Sequence, residues 1–173
     1  RSTSGRRLAW AKSLTSGRHP LFNRVFVNRI WMHHFGRGIV GTPRDFGNLG
    51  DRPTPPDLLD WLACELADQS WSLKQLHRLI VHSYTYRQQS QIDAKSAEVD
   101  QDNQWLWRYP VRRLEAEIIR DKILTASGQL DQTLFGASVS LKEDDTGQVV
   151  AAQDTRRSIY LQVRRSQPVA FLQ

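Results

Sequence analysis

The chain is nearly devoid of cysteine: Cys64 is the only one in 173 residues. A single thiol excludes an intrachain disulfide framework and leaves the redox compartment unspecified. Cys64 falls within an apolar helical pattern, which predicts a small core residue. The chain also lacks any apolar run approaching the roughly 20 residues that span a bilayer. Arg, His or Gln interrupts the longest stretches every few positions. There is no internal repeat, no low-complexity tract and no signal-peptide pattern. The first residue is Arg1, which reads as a piece cut from a longer protein, so the missing targeting signals carry no information on location.

What remains is the composition of an ordinary globular chain. Apolar residues make up 39% and charged residues 24%, and 24 basic against 18 acidic side chains give a net charge of +6 with histidines neutral. The length suits one domain spanning residues 1–173. A basic balance favours polyanions such as nucleic acid, anionic headgroups or sulfated glycans. The excess is small enough that solvated arginines and internal salt bridges are the simpler account.

The segment Asn23 to Gly47 is the densest in information. Arg24, Asn28 and Arg29 are interleaved with Val25, Phe26, Ile30 and Trp31. A buried guanidinium or amide must find partners, either internal ones or a ligand. The apolar period predicts a helix over about 20–35, with Pro20 in the first turn and Gly36 as its left-handed terminator. Residues 38–53 hold four glycines and two prolines and read as a loop packed down through Phe46 and Leu49. Thr54, Pro55, Pro56 and Asp57 predict a capped start for a helix running to about Asp68. Ser72 and Gln75 repeat the capping spacing before a helix ending near Tyr84. The two form a helical hairpin.

Before these, a basic lead-in over 1–17 has room for a short helix through Leu8, Trp10, Ala11 and Leu14. After them, residues 87–104 read as an exposed loop, and Trp105, Leu106, Trp107 and Tyr109 as a return to the core. A helix over about 114–130 should turn Leu114, Ile118, Ile119, Ile123 and Leu130 inward. Val139–Leu141, a turn at Glu143–Gly147 and Val149–Val150 predict a hairpin, and the alternation over Ser158–Val163 a strand. The fold class expected is mainly α: a helical domain with a helical hairpin and a small C-terminal β element.

No linear motif of catalysis or metal binding is present. HExxH, CxxC, GxSxG and clustered Asp motifs are all missing, and Gly36–Arg37–Gly38 is too short for a phosphate loop. His33 and His34 point about 100° apart on a helix, so they cannot jointly chelate one metal there. A metal site would need His33, His34, Asp45 and His77 brought together in space; structural or surface histidines are the simpler reading, and no metal or cofactor is expected. Arg44 and Asp45 in the Gly-rich loop suit a clamp onto the first helix through Arg29 or Asn28. Arg113 and Glu117 have ion-pair spacing on a helix, whereas Glu117 and Asp121 are like charges on one ridge that call for a cation such as Arg29 or Arg120. The candidate polar cluster is therefore Asn28, Arg29, His33, His34, Arg44, Asp45, His77, Arg113 and Glu117. Lys74, Gln75, Arg78 and His82 could face DNA from the helical hairpin, but Asp57, Asp60, Glu65 and Asp68 on its first helix would meet phosphates unfavourably.

Several ordered motifs resemble a planctomycete-specific family, the domain of unknown function 1553. They are Asn28–Gly38 (NRIWMHHFGRG), Thr42–Gly47 (TPRDFG), Pro56–Ala63 (PDLLDWLA), Trp71–Ile80 (WSLKQLHRLI), Tyr86–Gln88, Arg112–Glu117 (RRLEAE) and Arg157–Leu161 (RSIYL). The resemblance covers nearly the whole chain from Arg7. It implies a place toward the C-terminus of large, exported multidomain proteins that often carry a cytochrome c-like module, a second domain of unknown function and sometimes a lectin-like sandwich. It implies no catalytic residue. Relatives continue with a further helical segment beyond the position of Gln173. With no CxxCH in this chain, any heme c would belong to another module.

Three functions are compatible with this reading. The first is a non-catalytic, extracytoplasmic module that positions neighbouring domains of the parent chain or binds an anionic polymer such as a polysaccharide. The second is a hydrolase-like enzyme using Arg29, His33, His34, Arg44, Asp45 and Glu117. The third and weakest is nucleic-acid binding through Lys74 and Arg78.

Overall fold

The computed structural model describes residues 4–151 and 154–172. Arg1 to Thr3 of the basic lead-in lie outside the described residues. The chain forms two compact units, Arg1–Arg112 and Arg113–Gln173. The architecture is mainly α with one two-stranded sheet. No helix among the described residues is long and apolar enough to cross a membrane.

Among the described residues the first unit carries six helices. α1 (Arg6–Leu14) buries no side chain. α2 (Phe22–Phe35) starts two residues after Pro20. The ring nitrogen Nδ1 of His19 accepts from the N–H groups of Leu21 (3.3 Å) and Phe22 (3.1 Å), supplying the cap that Leu21 lacks. Gly36 ends the helix with φ of 82°, as its missing Cβ allows. α3 (Pro56–Asp68) has Pro55 at its cap position, so Thr54 stands one residue too early and makes no capping bond. α4 (Leu73–His82) is capped as expected, Ser72 Oγ accepting from the Gln75 N–H. Ser72→Ala should cost about 1 kcal/mol, read as a lower urea midpoint with an unchanged slope.

α2, α3 and α4 enclose the core. Val27, Trp31, Phe35, Ile39, Val40, Leu59, Leu62, Leu66, Leu76 and Ile80 form its buried cluster. Between α3 and α4 the backbone turns through left-handed Ser70 and Trp71, and the Trp71 ring packs against Phe22 and Phe26. Arg24 on α2 grips both carboxylate oxygens of Asp60 on α3 through Nε and Nη2, at 2.5 and 2.9 Å. Cys64, expected in the core, is exposed instead: α3 turns Leu59, Leu62, Ala63 and Leu66 inward and leaves position 64 on its outer face.

Beyond α4 the chain makes α5 (Tyr84–Arg87), started by a second serine cap at Ser83, and α6 (Ala94–Val99), capped by Asp93. The sequence reading of 87–104 as loop missed α6, whose six residues are too few to show a period.

In the second unit α7 (Ala116–Ala126) is shorter than expected and buries none of its side chains. Leu114, Ile118, Ile119 and Ile123 are 37–54% exposed, contrary to the inward orientation read from their spacing. Arg113 precedes the helix, so its expected pairing with Glu117 has no helical geometry to support it. β1 (Lys142–Glu143) and β2 (Val149–Val150) form a hairpin, its first strand following Val139–Leu141 where the strand was expected, with Asp144 accepting three bonds from the turn. Ser158–Val163 is not a strand. Ser158–Tyr160 is a 3-10 turn, and only Leu161 makes a bridge, to Val139.

Asp121 and Arg120 knit this unit together. Asp121 Oδ1 accepts from the Ser158 N–H (2.8 Å) and hydroxyl (2.7 Å), and its Oδ2 lies 3.7 Å from Arg157 Nε. Arg120 donates to the carbonyls of Arg156 and Asp154 and to Ser158 Oγ. Arg120 and Arg157 are thus the cations that face Asp121, with Arg120 Nη1 at 3.8 Å, while Glu117 is exposed. The polar network joins α7 to the 3-10 turn, rather than to the first helix as the sequence suggested.

Candidate functional site

Asn28 is the residue whose placement the sequence made most conspicuous, and it is fully buried. Its amide does not meet a ligand. Oδ1 accepts from the Val40 N–H at 2.9 Å and Nδ2 donates to the Val40 carbonyl at 3.1 Å, the pattern of a strand neighbour supplied by a side chain. Gly38 is pressed against that amide: a Cβ there would meet Val40 O at 2.5 Å and Asn28 Nδ2 at 2.6 Å. The Gly-rich loop is therefore clamped to α2 through Asn28, but by backbone and not by the Arg44–Asp45 pair. Asp45 Oδ1 accepts from the Gly47 N–H and shapes its own turn. Arg29 and Arg44 are exposed and form no ion pair among the described residues. Arg113 and Glu117 belong to the second unit and are also exposed.

Two of the candidate residues do meet. His34, near the end of α2, places Nε2 at 2.8 Å from Nδ1 of His77 on α4. Tyr86 packs edge-on against His34 and Phe35, and Tyr109 packs against Tyr86 and donates its hydroxyl to the His34 carbonyl at 3.2 Å. Burial, with the neighbouring His77, Arg112 and His33, holds the His34 imidazolium below the ordinary histidine value. Burial and the hydrogen bond with Tyr86 raise the Tyr109 phenol above its own. His33 is exposed on the same helical turn. Asp45 is not part of this contact, and no group of three or more His, Cys, Asp or Glu side chains able to hold a metal occurs among the described residues.

The sequence reading missed a cleft of about 200 Å³ on the other side of the Gly36 turn. Trp31, Ile39, Leu58 and Leu106 make its apolar wall, while Arg37, Thr54, Thr85 and Gln104 bring polar groups to it. Trp105 stands at this cleft with 66% of its surface exposed, where a return to the core was expected. Its exposure is built, not incidental. The Asp100 carboxylate accepts from the Gln104 and Trp105 N–H groups at 2.9 and 2.8 Å, and the Asp100 carbonyl accepts from the Trp107 indole. Buried Asn103 adopts a left-handed φ of 53° and closes the loop on both backbone groups of Arg108. The chain thus fixes residues 100–108 by local side-chain bonds, packs half-buried Leu106 against the core and turns Trp105 outward. The signal was in the sequence: Asp100 and Asn103, two turn-forming side chains, precede the tryptophan. Arg37 is exposed and makes no hydrogen bond or ion pair among the described residues, and its guanidinium stands with the Asp51 carboxylate against Gly41.

A third feature is a groove of about 480 Å³ between α3 and α4, floored by Leu66, Leu76 and Leu79 and rimmed by Gln75, Arg78 and His82. Glu65 also lines it, placing a carboxylate where a nucleic-acid phosphate would have to approach.

These features define a mainly helical module with a cleft lined by Trp31, Trp105 and Arg37 and, elsewhere on its surface, a histidine pair. The chain belongs to the PSD1 family, described as a protein of unknown function (DUF1553), whose family model matches residues 6–173. No curated protein and no solved structure matches it.

Proposed function

We propose that this chain is a non-catalytic recognition module that binds an acidic polysaccharide at the Trp105 cleft. The observation that carries the reading is the pre-formed display of Trp105 at a cleft that Arg37 also lines. A flat indole face offers apolar surface to the C–H face of a sugar ring, and burial of that face is favourable. A guanidinium recognises carboxylate or sulfate oxygens in two-pronged fashion. Thr54, Thr85 and Gln104 supply hydroxyl and amide groups for sugar hydroxyls. The net charge of +6 draws a polyanion toward the surface from a distance. In an exported multidomain parent, such binding would hold neighbouring modules, cytochrome c-like ones among them, against a polymer.

The test is a fluorescence titration with sulfated, uronate-containing and neutral polysaccharides at physiological salt. Trp105→Ala should weaken binding of the acidic polymers at least about tenfold, as expected for a central aromatic anchor. Arg37→Ala should remove the preference for acidic over neutral chains while leaving the melting temperature unchanged. Binding that is absent at physiological salt, or indifferent to Trp105→Ala, would overturn the proposal.

A further inference from the structure

Four side chains that carry or can acquire positive charge gather at the C-terminal turn of α2: His33, His34, His77 and Arg112. Their geometry is anchored by the 2.8 Å contact between His34 Nε2 and His77 Nδ1. A contact between two ring nitrogens needs one N–H and one lone pair. It therefore survives with both rings neutral or with one charged. It cannot survive with both charged, because two N–H groups would then face each other.

The groups around His34 come from every element packed on it. α4 contributes His77, α5 contributes the Tyr86 ring, residues 109–112 contribute Tyr109 and Arg112, and α2 itself contributes His33. None is an acid. No Asp or Glu forms an ion pair with His33, His34, His77 or Arg112 among the described residues. The nearby end of the α2 dipole, negative at its C-terminus, accommodates part of an imidazolium charge but offers no counter-ion for a pair of them.

We propose that His34, His77 and Arg112 form an oxyanion subsite that opens when both imidazoles are protonated and is filled by a sulfate or carboxylate group. The source we assign is the polymer bound at the Trp105 cleft, a step that rests on the reading given above. In the closed state the histidines satisfy each other. In the open state both facing N–H groups donate to one oxyanion, with the Arg112 guanidinium alongside. Arg37, three residues after His34 and just past the helix end, relates the two sites along the chain. A bound anion removes the mutual repulsion that keeps the second proton off, so binding takes up a proton and tightens as pH falls.

The experiment follows the histidine ring signals by NMR in the whole chain during titration with inorganic sulfate at pH 5.5 and 7.5. It then repeats the titration with sulfated and desulfated polysaccharide. Sulfate should move the His34 and His77 signals at pH 5.5 and bind more weakly as pH rises, by up to about tenfold per pH unit where one proton is taken up and up to about a hundredfold where both are. His77→Gln should abolish the response and Arg112→Ala should reduce it, whereas Trp105→Ala should leave the inorganic-sulfate response intact. The sulfated polymer should show the same pH dependence, lost in His77→Gln. If sulfate leaves the two rings unmoved at pH 5.5, or His77→Gln responds like the wild type, the subsite does not exist. A sulfate response together with pH-independent polymer binding overturns the polymer as the source. A sulfate response with no polymer binding at any pH overturns the glycan reading and upholds the oxyanion site.

Discussion

Asn28→Ala unfolds more easily than the wild type by about 2–4 kcal/mol, the largest loss expected from any single polar side chain of the first unit. The cause is not the missing bonds themselves, which are worth about 1 kcal/mol each when water can replace the partner. It is that Val40 is 2% exposed and Asn28 is fully buried, so the Val40 N–H and carbonyl lose their partner where water cannot reach. Asn28→Asp is a sharper probe. It retains an acceptor for the Val40 N–H but sets an oxygen against the Val40 carbonyl, and it should be at least as damaging. Gly38→Ala tests the other face of the same contact, since its methyl would lie 2.5 Å from Val40 O and 2.6 Å from Asn28 Nδ2. Urea denaturation followed by far-UV circular dichroism measures all three. A loss below about 1 kcal/mol for Asn28→Ala would mean that the loop does not depend on the clamp.

Asp121→Ala is the second large effect, and it belongs to the other unit. The carboxylate accepts from both donors of Ser158, whose residue is 5% exposed, and faces Arg157 and Arg120. Removing it strands a buried N–H and leaves two guanidinium groups without their anion, a loss of about 2–3 kcal/mol. Asp121→Asn keeps an acceptor and should recover part of that. Amide hydrogen exchange is the appropriate readout because it resolves units separately. Protection should fall over α7 and Ser158–Leu161. Unchanged protection there would show that Arg120 alone holds the turn.

α2 and α4 were legible because two independent signals agreed at each of them. α2 has its apolar period and Gly36, and α4 has its period and the Ser72 cap. Where one signal stood alone, it misled. The spacing of Ile118, Ile119 and Ile123 says that apolar residues recur at a helical interval, and it does not say that another element covers them. The alternation over Ser158–Val163 is strand-like, but a strand needs a partner along its length, and only Val139 pairs. The site was legible in fragments. The need of Asn28 for internal partners followed from the cost of burying an amide, but their identity did not, because a backbone acceptor twelve residues away has no side-chain signature. Arg29 carried the same expectation and simply lies on the exposed face of α2. His34 and His77 were both marked, yet nothing in a linear sequence relates positions 43 apart. Trp105 was assigned to the core by its apolarity, when its polar neighbours Asp100 and Asn103 decide its direction.

The exposure of Cys64 gives this 173-residue chain a built-in attachment point. As the sole thiol, it should take up one maleimide per chain without prior unfolding, so a dye, spin label or cross-linker can be placed on the outer face of α3 with no engineered cysteine. The same chemistry sets a limit on handling: air oxidation can join two chains at most through this position, so a disulfide-linked species on a non-reducing gel is a dimer and never a ladder.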